Sequence, residues 1–122
     1  MRILFIENHS IFAQTVVEQF LRGHTVVVVP SVLEALDVFR LSTYDVALID
    51  YDLDDCKGDV FVRRVRESGS RIPIIAISAR EEGNDALLRA GADGVCHKGA
   101  FRAIAAILAK VVPVPNPTDD DV

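Results

Sequence analysis

A chain of 122 residues, half of them apolar, is long enough for one domain around one packed core. It has no run of the ~20 apolar residues that a membrane span needs; the start, Met1-Arg2-Ile3-Leu4-Phe5-Ile6-Glu7, lacks the apolar core and cleavage site of a signal peptide, so the expected setting is the cytoplasm. The net charge of −5 includes three adjacent acids, Asp119, Asp120 and Asp121, and no basic stripe argues for direct nucleic-acid binding; two cysteines do not make a disulfide framework.

Strand and helix patterns alternate five times. Residues 2–6 read as a strand. Ser10 can cap a helix running to about Leu21, with Phe12, Val16, Val17 and Phe20 on one face, and Gly23 stops it. His24 to Val29 is β-branched and strand-like. Ser31-Val32-Leu33-Glu34 fits a capping box, in which hydroxyl and carboxylate satisfy free backbone N–H groups. The helix it opens carries Leu33, Ala35, Leu36 and Phe39 at helical spacing. Residues 45–49 form the third strand, apolar throughout as a strand covered on both faces requires. Val60, Phe61, Val62 and Val65 follow in a third helix ended by Gly69.

Ile72 to Ile77 reads as the fourth strand, with Pro73 near its start where it is tolerated. A short helix from Asn84 to Ala90 ends at Gly91. Gly94 to His97 is the fifth strand and residues 100–112 the fifth helix. Cys96 then reads as a small buried hydrophobe, Cys56 as an ordinary loop thiol, and His9, His24 and His97 as structural residues. The expected division is a domain over residues 1–112 and a disordered Pro- and Asp-rich tail or linker over 113–122. Alternating β and α elements with short connections imply a doubly wound α/β sandwich with right-handed crossovers.

Four polar positions follow strand patterns: Glu7-Asn8, Asp50, Ser78 and Lys98. In a parallel sheet the strand C-termini share one edge, where ligands bind. A carboxylate, an acid/amide pair, a hydroxyl and an ammonium gathered there suit metal-assisted phosphoryl transfer to a carboxylate.

In the ordered set Glu7-Asn8, Asp50, Gly58, Ser78-Ala79, Gly91-Ala92-Asp93-Gly94 and Lys98, the chain resembles a bacterial response-regulator receiver domain of the chemotaxis-regulator type over residues 2–112. The resemblance implies a flavodoxin-like (βα)5 fold with a five-stranded parallel sheet in the order 2-1-3-4-5. It makes Asp50 the phosphoacceptor for a sensor histidine kinase or histidine phosphotransfer protein. Glu7, Asn8, Asp50 and the backbone carbonyl of Asp52 become the Mg²⁺ ligands. Ser78 and Lys98 contact and neutralise the phosphoryl group. The implied role is that of a signalling phosphoacceptor rather than an enzyme.

Three departures qualify the resemblance. The family usually has Asp where Asn8 stands, so weaker Mg²⁺ binding is expected, offset in part by Asp52, Asp54 and Asp55. Val95 replaces the family's switch aromatic, and Gly99 replaces the Pro that usually follows the Lys. A phosphorylation-independent pseudo-receiver, acting as a docking or dimerisation module, is therefore an alternative. Asp50-Tyr51-Asp52 also resembles the nucleophile motif of haloacid-dehalogenase-type phosphohydrolases, although the acidic pair comes in the wrong order. Asp52 can speed hydrolysis of an aspartyl phosphate, or pair with Arg80 and shield it; the sequence leaves both open. In the fifth helix, Phe101, Ile104, Ala105, Leu108 and Val112 fill the core stripe, and Ala103, Ala106, Ile107 and Val111 point wholly or partly away. That apolar excess points to a homodimer or effector on the face of helix 4, strand 5 and helix 5.

Overall fold

The structure, a computed structural model, describes residues 1–113; the expected tail lies outside the described residues from Val114 onward. Five strands, β1 (Arg2–Ile6), β2 (Thr25–Val29), β3 (Val46–Ile49), β4 (Ile74–Ala76) and β5 (Gly94–Val95), pair in parallel in the order β2-β1-β3-β4-β5. Between them run α1 (Ser10–Phe20), α2 (Val32–Leu41), α3 (Asp59–Glu67) and α4 (Glu81–Ala90). A 3₁₀ turn (Lys98–Ala103) then leads into α5 (Ile104–Val111). This is the doubly wound, flavodoxin-like sandwich expected above.

The sheet separates two apolar layers, as continuous runs of apolar strand residues demand. Ile3, Phe5, Leu48, Ile75 and Ile77 pack under α1 and α5. Leu4, Ile6, Ala47, Ile49, Ile74 and Ala76 pack under α2, α3 and α4. Every residue of β3 and β4 is buried. Each large side chain so placed contributes about 1.5–3 kcal/mol relative to exposure. Register places the site: Ile6 pairs with Ile49, and Ile49 with Ala76. Glu7, Asp50 and Ile77 therefore leave the sheet at one level, and Ser78 stands one residue beyond.

Several local expectations change. His9, not Ser10, precedes the first turn of α1, and its side chain makes no capping bond. Ser31 does cap α2, its hydroxyl accepting from the Glu34 N–H at 3.2 Å. The second cap comes from far along the chain instead of from Glu34. Asp55 accepts from the Val32 and Leu33 N–H groups at 3.0 and 2.9 Å. Leu33 points outward, while Val32 and Ala35 are buried. The fourth helix starts at Glu81, three residues earlier than expected, and β5 has only two residues.

The fifth helix departs most. Ala100 (φ −123°, ψ 37°) breaks it, so the regular part starts at Ile104. Ala105 faces solvent rather than the core. Ile107 and Val111, expected to point wholly or partly away, are half-buried against the α1/α5 layer. Gly94 explains the rotation: a Cβ there would lie 3.0 Å from the Val111 side chain, so a bare backbone lets α5 settle close on β5. With those two residues inside, the exposed part of α5 is mostly alanine, and the large apolar face expected on helix 5 is absent.

Asp55 carries a testable consequence. Burial opposes its charge, but backbone N–H groups led by Leu33 and Val32 outweigh it and hold the carboxyl below its ordinary value. A depressed folded-state value gives stability that is complete above the ordinary carboxylate range and lost as pH falls through the folded value. Asp55→Ala should cost about 1 kcal/mol at pH 7, as helix caps do. It should also reduce the fall in stability between about pH 5 and pH 3. Denaturant titrations of both proteins at several pH values check this; curves falling in parallel would contradict it.

Candidate functional site

Asp50 lies at the β3 terminus, fully inside the edge of the sheet. Its N–H continues the ladder to the Ile6 carbonyl, and the Tyr51 N–H donates to its Oδ1 at 2.8 Å. The ammonium of Lys98 approaches the other oxygen, Oδ2, at 3.0 Å. The same Nζ lies 2.7 Å from Glu7 Oε1. Lys98 thus bridges two buried carboxylates that would otherwise repel one another. Burial raises the Glu7 carboxyl, against the pull of Lys98, and Asp50 raises it further. Burial works to lower Lys98, but the Glu7 and Asp50 partners win and raise it. The ammonium therefore keeps its charge at neutral pH.

Glu7 Oε2 accepts from the His9 N–H at 3.1 Å, which fixes the carboxylate. Asn8 donates through Nδ2 to Asp54 Oδ1 at 2.9 Å, which fixes the amide. Glu7 Oε1 meets only the Lys98 ammonium, at 2.7 Å, and one buried acceptor, Asn8 Oδ1, is left without any hydrogen-bond donor. Buried oxygens are seldom left so. Oxygen acceptors beside Asp50 suit a hard cation such as Mg²⁺. Among the described residues no three His, Cys, Asp or Glu side chains gather as a metal set. The side-chain oxygens gathered at this edge are the carboxylates of Glu7 and Asp50 and the amide of Asn8, so the fit to a cation rests on that amide.

Ser78 is buried at the end of β4. Its Oγ accepts from the Arg80 N–H at 3.1 Å, leaving its own O–H to donate. Asn84, which the sequence reading passed over, clamps the Ser78 main chain: Oδ1 accepts from its N–H at 2.8 Å and Nδ2 donates to its carbonyl at 3.0 Å. Gly83 was also missed. A Cβ there would lie 2.5 Å from Ser78 Oγ and 3.0 Å from Tyr51, so α4 reaches the site only through a glycine. The detectable signal was a glycine inside a helical pattern, which usually has a packing reason.

The three acids expected to support the metal are committed elsewhere. Asp54 orients Asn8, and Asp55 caps α2. The Asp52 side chain pairs with Lys57 at 2.5 Å and accepts from Nε and Nη2 of the Arg80 guanidinium at 2.9 to 3.2 Å. The hydrogen bond from Lys57, then that from Arg80, holds its carboxyl below its ordinary value. Of the two roles left open for Asp52, the pairing with Arg80 is the one observed. No helix among the described residues is long and apolar enough to cross a membrane.

Known proteins share this fold and much of this sequence pattern. The family model for the response regulator receiver domain matches residues 3–109. The chain is 34% identical over 94 residues to the transcriptional regulatory protein CseB of Streptomyces coelicolor, covering 75% of this chain and 40% of that protein. It is 34% identical over 98 residues to the two-component response regulator PhoP of Pseudomonas aeruginosa, covering 76% and 43%. The chain therefore spans less than half the length of the curated relatives it matches.

Among solved structures, it resembles the receiver domain of a sensor histidine kinase of Pseudomonas aeruginosa PAO1, which holds magnesium in its active-site cleft. The TM-score is 0.80 at 32% identity, covering 90% of this chain and 95% of that one. A CheY-like receiver domain of Methylobacillus flagellatus gives a TM-score of 0.78 at 23% identity, covering 90% and 97%, and shares the fold.

Proposed function

Because this chain belongs to the response regulator receiver domain family of two-component signalling, we propose that it takes a phosphoryl group onto Asp50 from a histidine kinase or phosphotransfer protein. The observation that carries this is the Lys98 ammonium held between Asp50 and Glu7, with the buried Asn8 Oδ1 left without a donor next along the chain. An Asp50 carboxylate oxygen attacks phosphorus. The phosphorus–nitrogen bond of the donor phosphohistidine breaks, the imidazole leaves with its electron pair, and an acyl phosphate forms. Lys98 and the Ser78 hydroxyl stabilise the transferred oxygens, and such transfers are mostly positioning and charge neutralisation. Glu7, Asn8, Asp50 and the Asp52 carbonyl would hold Mg²⁺, which when bound neutralises charge on the transferred group. The resulting charge change shifts a conformational equilibrium that a partner protein reads.

The phosphohydrolase reading is weakened by Asp52, whose carboxylate is taken by Lys57 and Arg80 and so is not poised as an acid/base. The pseudo-receiver reading draws its support from Asn8. An extra carboxylate there brings another full charge toward the cation. Asn8→Asp should therefore tighten Mg²⁺ on the order of tenfold. It should also lower metal-free stability by about 1 kcal/mol, since Asn8 Nδ2 donates to Asp54. Calorimetric Mg²⁺ titration and denaturation measure the two. Unchanged Mg²⁺ affinity would place the metal away from Asn8. Saturable, Mg²⁺-dependent uptake of beryllofluoride by the unaltered chain, followed at the Tyr51 amide, tests the acceptor role; no uptake favours the docking module.

A further inference from the structure

One contact of Lys98 is not used by phosphoryl transfer. Its ammonium lies over the Phe12 ring, 4.9 Å from the centroid. Two of its directions go to Glu7 and Asp50, and the ring face takes up the remaining side. Phe12 in turn meets Phe101 edge-on, with centroids 5.8 Å apart at 88°. Phe101 is buried and stacks on Phe5 at 6.0 Å and against Phe20 at 6.1 Å. Rings from α1 and from β1 thus converge on Phe101, which belongs to the turn that carries Lys98. All lie on the α1/α5 side of the sheet.

The other route out of the site has no such chain of rings. No aromatic residue occurs between Ser78 and Cys96. Val95, three residues before Lys98, packs in the opposite layer with α2, α3 and α4.

We propose that Phe12 is the positioning residue of Lys98, and that it carries the state of the site through Phe101 to Phe20, on the face formed by α1 and the Lys98–Ala103 turn. The trigger rests on the reading of Asp50 as acceptor; the coupling of Lys98 to the rings is a property of the unliganded chain. A cation is attracted to a ring only while it stands over the face. A phosphoryl group on Asp50 draws the ammonium into a stronger, charge-assisted hydrogen bond. Phe12 then loses the charge that fixes its orientation, and close-packed rings answer by discrete rearrangement rather than by smooth yielding. The turn is built to follow. Gly99 succeeds Lys98, Ala100 departs from helical angles, and the turn is tied by the Gly99 N–H donating to His97 Nδ1 at 2.9 Å. At the far end, Phe20 of α1 reaches solvent.

Side-chain NMR of the described chain tests this without a ligand. The Lys98 ε-methylene protons should be shifted upfield by the Phe12 ring current in the unaltered protein, lose that shift in Phe12→Leu, and regain it in Phe12→Tyr. Lys98→Met should move the ring resonances of Phe12, Phe101 and Phe20 while the Leu88 and Val95 methyls stay in place. An unchanged ε-methylene in Phe12→Leu, or displacement running to Leu88 and Val95 instead, would overturn the proposal. With Mg²⁺ and saturating beryllofluoride, the unaltered chain should repeat the Phe101 and Phe20 displacement, and Phe12→Leu should cut the Phe20 displacement by more than half. Absence of any beryllofluoride effect in the unaltered chain counts against the acceptor reading alone, since the Lys98→Met spectra decide the relay separately.

Discussion

Gly58→Ala should destabilise the protein by about 2–4 kcal/mol, on the scale of overpacked interior sites. A Cβ at Gly58 would lie 2.1 Å from the Asp50 carbonyl oxygen, far inside contact distance, and 3.0 Å from Ile49 Cγ1. The obstacle is main chain, so no side-chain rotation relieves it. The Gly58 N–H also donates to the Tyr51 carbonyl at 2.7 Å, so the loop after β3 is held against the start of α3 at this point. The substitution must push apart the two segments that present Asp50, and phosphoryl uptake should fall with stability. Gly23→Ala is the control: no atom crowds its Cβ, and only its φ of 85° resists. That change should cost about 1 kcal/mol. Denaturant midpoints compare the two, and an equal cost would refute the steric account.

Arg66→Met should cost about 3–4 kcal/mol, more than a surface ion pair explains. The guanidinium donates to the Gly91 carbonyl from Nε and Nη2 at 3.1 and 3.0 Å. Nη1 donates to the carbonyls of Ser70 and Ile72 at 3.1 and 2.8 Å. One planar group therefore joins the end of α3, the approach to β4 and the turn after α4. The ion pair with Asp93 at 2.9 Å is half-exposed on the acid's side and adds little. The cost lies in three carbonyls left without a donor, each worth about 1 kcal/mol or more. Arg66→Lys should rescue only part of it, because an ammonium cannot span the same fork. Urea titrations read both; a loss under 1 kcal/mol for Arg66→Met would show that water replaces the guanidinium.

The alternation of strands and helices and the gathering of Glu7, Asn8, Asp50, Ser78 and Lys98 at one edge were legible because both follow from short-range pattern, whereas the order of the strands came with the family resemblance. Apolar runs mark strands, glycines mark helix ends, and the parallel sheet does the rest. What stayed hidden depends on contacts between distant segments. Asp55 caps a helix 22 and 23 residues earlier, and no local spacing announces that. Arg66 reads as one more charge on an amphipathic helix until the carbonyls around it are seen. Asn84 and Gly83 read as weak helix residues, and their reason is Ser78. On α5 the ordinary stripe pattern misled, because the missing side chain at Gly94 turned Ile107 and Val111 inward.

Everything proposed for this site depends on Asp50 accepting a phosphoryl group beside the amide of Asn8. Intact-mass measurement after incubation with acetyl phosphate and Mg²⁺ tests it most directly, with Asp50→Asn alongside. A single phosphoryl adduct should form on the unaltered chain, dependent on Mg²⁺ and absent from Asp50→Asn. No adduct on a folded chain that also fails to take up beryllofluoride would contradict it and leave a docking module with the receiver fold.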